Sequence, residues 1–217
     1  MKPRLDILPP AQLALWPELR AVPGQFVLYG GTAIALRLAH RQSVDFDFFS
    51  SGPFVPHELR ASLPFLAGSE LLQVAPNTLT VRVTRPEPVK LSFFGALPIG
   101  RVGTPERTDD GVLQIASLLD LAGTKAVVVQ QRSEAKDYLD LHHLLLNGVP
   151  LAAALGAAQA LYGEDFQPVL TLKALAHFGD GDLPTLPTDI QSALRRAAGR
   201  VTGFADIQRR AASLHAA

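Results

Sequence analysis

Two aspartates, Asp45 and Asp47, flank one phenylalanine in the run Val44-Asp45-Phe46-Asp47-Phe48. In an extended chain, residues two apart share a face. Both carboxylates therefore project together, while Val44, Phe46 and Phe48 face the other way. Two negative charges this close repel, and the neighbouring phenylalanines remove part of the water that would screen them. A divalent cation relieves both costs. Hard oxygen donors on a rigid strand suit Mg²⁺ (or Mn²⁺), which takes one or two carboxylates and fills its shell with water and substrate phosphates. Taken alone, the pair is explained equally well by an edge strand with a wet face.

A second chemical feature precedes it. The apolar run Phe26-Val27-Leu28-Tyr29 ends at Gly30-Gly31-Thr32, and residues 33–40 are rich in Ala, Ile and Leu. This predicts a buried strand, a tight turn, and a helix capped by Thr32. Free backbone N–H groups and the positive end of a helix favour an anion, and glycines let it come close. The turn has neither the Gly-Lys-Ser/Thr of a phosphate loop nor the Gly-x-Gly-x-x-Gly of a dinucleotide site. By itself it is a weak signal, since two glycines also serve steric needs. The combination is stronger: an anion-binding turn, one helix, then paired carboxylates on the next strand.

The elements around these residues divide the chain. Residues 44–49 read as a strand and 56–63 as a short helix opened by Pro56. Residues 71–75, 78–84 and 89–94 are β-prone runs separated by Pro76-Asn77 and Pro86-Glu87-Pro88, which predicts an antiparallel or mixed part of a sheet. Residues 95–111, with four glycines, read as a boundary loop. Helices are predicted over 117–131, 134–146, 151–161, 167–177, 188–200 and 204–215. The expected class is α+β: a sheet-containing domain over 1–110, then a helical domain over 111–217.

Composition narrows the partners. The 217 residues are 47% hydrophobic, enough for a packed core, and contain no cysteine, which removes disulfides and thiolate chemistry and fits a reducing cytoplasm. Lys plus Arg and Asp plus Glu both number 20, so a generally basic nucleic-acid surface is not supported, although a local basic groove is. No apolar run approaches the ~20 residues needed to cross a bilayer, and no secretory leader is visible, so a soluble protein without a membrane partner is expected.

Gly30-Gly31-Thr32-Ala33, followed by His40-Arg41-Gln42-Ser43-Val44-Asp45-Phe46-Asp47-Phe48-Phe49, resembles the AbiEii/AbiGii-toxin-like nucleotidyltransferases of the DNA polymerase β-type superfamily. A second block, Lys125, Arg132 and Lys136-Asp137-x-x-Asp140-Leu141, resembles that family's later basic-Asp-x-x-Asp-Leu element. The resemblance implies a polymerase β-like core with a mixed sheet, and an NTP substrate. It implies that Asp45 and Asp47 bind the catalytic metal, and that Gly30, Gly31 and Thr32 cradle the β- and γ-phosphates. Arg41 would reach phosphate or brace the loop. Lys125 would neutralise phosphate charge, and Asp137 would complete the site from the helical domain. The acceptor it implies is RNA, with tRNA the family-level expectation, or a protein side chain; an antitoxin is the implied protein partner.

Simpler readings stand beside these. Lys136 and Asp140, four apart on a helix, make an ordinary surface pair, and Lys125 and Arg132 are compatible with a solvated face. His142 and His143 are adjacent and point apart, which does not suggest a zinc site. Polymerase β-like enzymes usually carry a third carboxylate on a later strand, yet residues 89–94 offer only Lys90 and Ser92 at their polar positions. A catalytically weak nucleotide-binding or interaction module is therefore the competing expectation. A metal-dependent phosphohydrolase is a third.

Overall fold

The computed structural model describes residues 1–216, which form two compact units. One comprises Met1–Ser117 with the final segment from Ala211; the other is Leu118–Arg210.

The first unit is built on a seven-stranded mixed sheet. Its elements are α1 (Pro10–Leu15), β1 (Val27–Tyr29), α2 (Gly30–Leu38), β2 (Asp45–Phe49), α3 (Pro56–Ser62), β3 (Glu70–Ala75), β4 (Thr78–Thr84), β5 (Pro88–Phe94), β6 (Glu106–Arg107) and β7 (Gln114–Ile115). The strand order is β3-β4-β5-β2-β1-β7-β6. β2 pairs with β5 and β1 with β7 in parallel, and the other pairings are antiparallel.

Alternation drives this arrangement. Phe46 and Phe48 of β2 are fully buried, as are Leu91 and Phe93 of β5, and Phe48 stacks on Phe93 with ring centroids 4.9 Å apart. The apolar face thus fixes the register and leaves Asp45 and Asp47 on the opposite face. Asn77 takes the turn between β3 and β4 with a left-handed φ of 57°, a conformation that Asn tolerates, and its Oδ1 accepts the Phe54 N–H at 2.8 Å.

Three local features depart from the sequence reading. α2 starts at Gly30, not Ala33, so Thr32 lies inside the first helical turn and Tyr29 occupies the capping position without a side-chain bond. Val44 lies before β2 and is 64% exposed, so it does not join Phe46 and Phe48 in the core. Near the start, Pro10 opens α1 as a first-turn proline, and Leu15, Trp16 and Leu19 bury themselves in a region where no element was expected.

The second unit holds α4 (Leu118–Gln131), α5 (Ala135–Leu146), α6 (Leu151–Tyr162), α7 (Pro168–Ala174) and α8 (Thr188–Gly199). Its alanine richness has a packing purpose. Gly123 of α4 lies so close to α6 that an added Cβ would stand 3.1 Å from the Ala157 Cβ and from the Ala158 backbone nitrogen. Small residues on both helices permit that approach. Among the described residues no single helix is long and apolar enough to cross a membrane.

The helix expected over 204–215 does not form. The chain there spends its backbone groups on other elements. The Ala205 N–H donates to the Ala152 carbonyl at 3.1 Å, and Ala211 bridges to Arg101. Arg209 donates to the Ala160 and Leu161 carbonyls at the end of α6, where a cation complements the helix dipole. The Ala205 carbonyl rests directly on Gly156: a Cβ at Gly156 would lie 2.1 Å from that oxygen. Gly156→Ala should therefore destabilise the protein by about 1–3 kcal/mol through overpacking, read from urea unfolding. An unchanged midpoint would mean that this segment is not docked on α6.

Candidate active site

The expected site residues fall into two clusters, one within each unit. In the sheet unit, β2 presents Asp45 and Asp47, both half-buried, on the face opposite its phenylalanines. Register places Tyr29, the last residue of β1, beside Asp47, so the chain enters the glycine turn next to that carboxylate. Gly30 has φ +73°, and a Cβ there would stand 2.6 Å from Asp47 Oδ2. Only glycine accepts both the left-handed backbone and the contact. A Cβ on Gly31 would lie 2.6 Å from Arg41 Nη2 and 2.9 Å from Ser43 Oγ, so the Arg41 guanidinium lies against the turn. Its Nη1 donates to the Gln42 carbonyl at 2.8 Å.

Thr32 is buried, and its hydroxyl donates to the backbone carbonyl of Asp45. This bond ties the first turn of α2 to the start of β2. The side chain thus holds the turn and the carboxylate strand together.

Sequence reasoning identified Lys90 and Ser92 only as places where an acid was lacking. The structure gives Lys90 a contact. In the parallel pairing of β2 with β5, Asp45 lies beside Lys90 and Asp47 beside Ser92, and Lys90 Nζ meets Asp45 Oδ2 at 2.8 Å. Both partners are partly exposed, which makes this a weak ion pair in energy, worth about 0–1 kcal/mol. Its geometry matters more than its strength.

The donor set suits a hard divalent ion in part. Two carboxylates lie on one strand beside a turn where a Cβ at Gly30 would meet Asp47 Oδ2, and water and phosphate oxygens would complete the shell. Among the described residues, no group of three or more His, Cys, Asp or Glu could hold a metal ion.

The helical unit carries the other cluster. Lys125 on α4 is 6% exposed and binds Asp137 Oδ1 at 2.6 Å and Asp140 Oδ2 at 2.7 Å, both acids being fully buried on α5. Asp137 and Asp140 are three apart, so one helix face presents both to a single ammonium. Arg132 Nε adds a bond to Asp137 Oδ2 at 2.7 Å. The solvated-face reading of Lys125 and Arg132 is thus replaced by an ion cluster, and Lys136 pairs with Glu134, not with Asp140. Burial pushes the Asp137 carboxyl up. The Arg132 hydrogen bond, together with the charge and hydrogen bond of Lys125, outweighs that and holds it below its ordinary value of 3.8.

A family model described as nucleotidyl transferase AbiEii toxin, type IV toxin–antitoxin system, matches residues 18–213. The chain belongs to the AbiEii nucleotidyltransferase toxin family. An uncharacterised protein of Aquifex aeolicus (strain VF5) is 35% identical over 123 residues, 55% of this chain. The match spans 57% of that relative, little more than half its length. Among solved structures, one assigned as a nucleotidyltransferase from H. pylori aligns with TM-score 0.53 and 18% identity, covering 87% of this chain and 90% of that one. MenT4, a nucleotidyltransferase toxin from Mycobacterium tuberculosis H37Rv, aligns with TM-score 0.57 and 15% identity over 88% of this chain and 84% of its own. At such identities the likeness shows the fold alone, a polymerase β-like α+β core.

Two outcomes test this geometry. Gly30→Ala forces a left-handed alanine, at about 1–2 kcal/mol, and drives a methyl into Asp47 Oδ2. It should lower the thermal midpoint, and a midpoint equal to wild type would contradict the close approach. For Asp137, the folded pKa lies below the unfolded one, so its contribution is complete above pH 3.8 and is lost as pH falls through the depressed folded value. Asp137→Asn should cost about 3 kcal/mol near neutrality. The gap between wild type and variant should then close as denaturation is measured at progressively more acid pH below that value; a gap independent of pH would refute the assignment.

Proposed function

We propose that the protein is a Mg²⁺-dependent nucleotidyltransferase moving a nucleotide from an NTP to an RNA or protein acceptor. The observation that carries this reading is the contact between turn and carboxylates, with Gly30 pressed on Asp47 and Arg41 on Gly31. Asp45 and Asp47 would hold the metal. A divalent ion bound there neutralises triphosphate charge and stabilises the charge that develops during phosphoryl transfer.

The chain's own residues supply the rest. Backbone N–H groups at the start of α2 would bind phosphate oxygens, aided by the helix dipole. The Arg41 guanidinium would add a charged donor beside the same turn. Lys125 has the role of a phosphate-neutralising cation by resemblance. Its two buried acids fix the ammonium in direction, and Asp137 would act by orienting it. Net neutrality disfavours extensive duplex contact, which leaves a single-stranded or folded RNA end, with tRNA the family-level expectation, or a protein side chain, as acceptor. Membership of a toxin–antitoxin family makes an antitoxin the expected regulatory partner, and we place the activity in the cytoplasm, where NTPs and RNA meet.

The decisive assay incubates the protein with each labelled NTP, Mg²⁺, and total RNA or the protein itself, following label and pyrophosphate. Label transfer with pyrophosphate release is expected, and Asp45→Asn or Asp47→Asn should reduce it about a hundredfold or more. Transfer surviving both changes would sink the site assignment. Lys90 and Ser92, standing where a further acid is usual, favour the second reading of a binding module. That reading predicts Mg²⁺-dependent NTP binding without transfer across the acceptor panel. Release of inorganic phosphate instead of pyrophosphate would mark a phosphohydrolase.

A further inference from the structure

The sheet face that carries Asp45 also carries a row of charges across four strands. Register sets Asp45 beside Lys90, Lys90 beside Arg82, and Arg82 beside Glu70. The two cations are neighbours and turn away from each other. Arg82 Nη1 binds Glu70 Oε2 at 2.7 Å, and Lys90 Nζ binds Asp45 Oδ2 at 2.8 Å. Like charge on one side and opposite charge on the other thus fix the direction of Lys90. The next row is Asp47, Ser92 and Thr80, with both hydroxyl residues buried. The positions of β5 that flank the two aspartates are therefore an ammonium and a hydroxyl.

We infer that Lys90 is the built-in second positive charge of this site, so that the Asp45–Asp47 pair takes one divalent ion and not two. The inference rests on the metal assignment proposed above and deepens it. Two closely spaced divalent ions need carboxylates to bridge and neutralise them. Here the carboxylates number two, and one oxygen of Asp45 already belongs to Lys90. A second divalent ion placed there would meet the ammonium, which repels it, and would find no further acid on β5. The ammonium compensates Asp45 in its stead. In the free protein the same contact makes Lys90 a competitor for the first ion, a modest one because the pair is partly exposed.

Electron paramagnetic resonance of Mn²⁺ titrated into the full chain counts bound ions, with and without a saturating non-hydrolysable NTP analogue. Wild type should bind one Mn²⁺ per chain in the analogue complex. Lys90→Met should bind Mn²⁺ about fivefold more tightly without nucleotide, the scale of one exposed ion pair. Lys90→Glu, which restores an acid on β5, should bind two in the analogue complex. Circular dichroism verifies that each variant is folded. Two Mn²⁺ in wild type, an unchanged affinity in Lys90→Met, or a single Mn²⁺ in folded Lys90→Glu would each overturn the inference while leaving the Asp45–Asp47 site standing. Wild type that binds no Mn²⁺ would overturn that site as well.

Discussion

The close approach of the Gly30 backbone to the Asp47 carboxylate sets the terms for the whole sheet unit. A side chain at position 30 would collide with Oδ2 at 2.6 Å, and one at position 31 would collide with Arg41. At position 30 the left-handed backbone, φ +73°, adds a second reason for glycine, whereas at position 31 the neighbours are the ends of the Arg41 and Ser43 side chains. Everything nearby serves that closeness. Thr32 ties α2 to the Asp45 carbonyl, the antiparallel pairing of β1 with β2 brings Tyr29 beside Asp47, and the buried phenylalanine face of β2 keeps both acids turned toward the turn side of the sheet. Helix N–H groups and carboxylates would ordinarily attract one another directly. Set side by side here, they frame a place where a cation and an anion are both favoured.

The helical unit solves a related electrostatic problem in the opposite way. Asp137 and Asp140 are fully buried, where an ionised carboxylate without a partner is prohibitively costly. Lys125 answers both at once, and Arg132 answers Asp137 a second time. The acids and the ammonium satisfy each other internally, and the depressed Asp137 titration follows from that balance. In the sheet unit, by contrast, the acids stay half-exposed, and Lys90 is drawn to Asp45. A buried, self-neutralised cluster fixes geometry, whereas a half-open pair retains capacity for a ligand. This difference is why we propose ion binding at Asp45 and Asp47 and a positioning role for Asp137.

Much of this was legible in the sequence because it rests on short-range rules. Alternation in Asp45–Phe49 and the turn signals at Pro76-Asn77 define β2 to β5 nearly to the residue. The family pattern points to Gly30, Gly31, Asp45, Asp47, Lys125 and Asp137. What stayed hidden depends on contacts between distant segments. Residues 204–215 have the composition of a helix, but Gly156 offers a slot for the Ala205 carbonyl, and backbone bonds to α6 and Arg101 replace helical ones. Thr32 reads as a cap from its position, yet the glycines are flexible enough for the helix to start three residues earlier. Asp140 reads as half of a surface pair with Lys136, since spacing along one helix cannot reveal that α4 delivers Lys125 to its other side. A periodicity of three between Asp137 and Asp140 was the one available signal.

Lys90 shows how a position that looks like a defect changes meaning once its neighbours are known. An acid on β5 beside Asp45 and Asp47 would concentrate three negative charges on adjacent strands, which bound cations would have to offset. A lysine reverses the sign of that position. With one divalent ion, the two aspartates and the ammonium together carry a net positive charge, which suits a triphosphate approaching the helix end of α2. On this reading the third acid is unnecessary for charge balance, and its replacement constrains the chemistry instead of abolishing it. Any acceptor activation must then come from groups other than a second ion. The position of Arg82 makes the arrangement directional: bound to Glu70, it closes the row on the far side and leaves Asp45 as the anion next to Lys90.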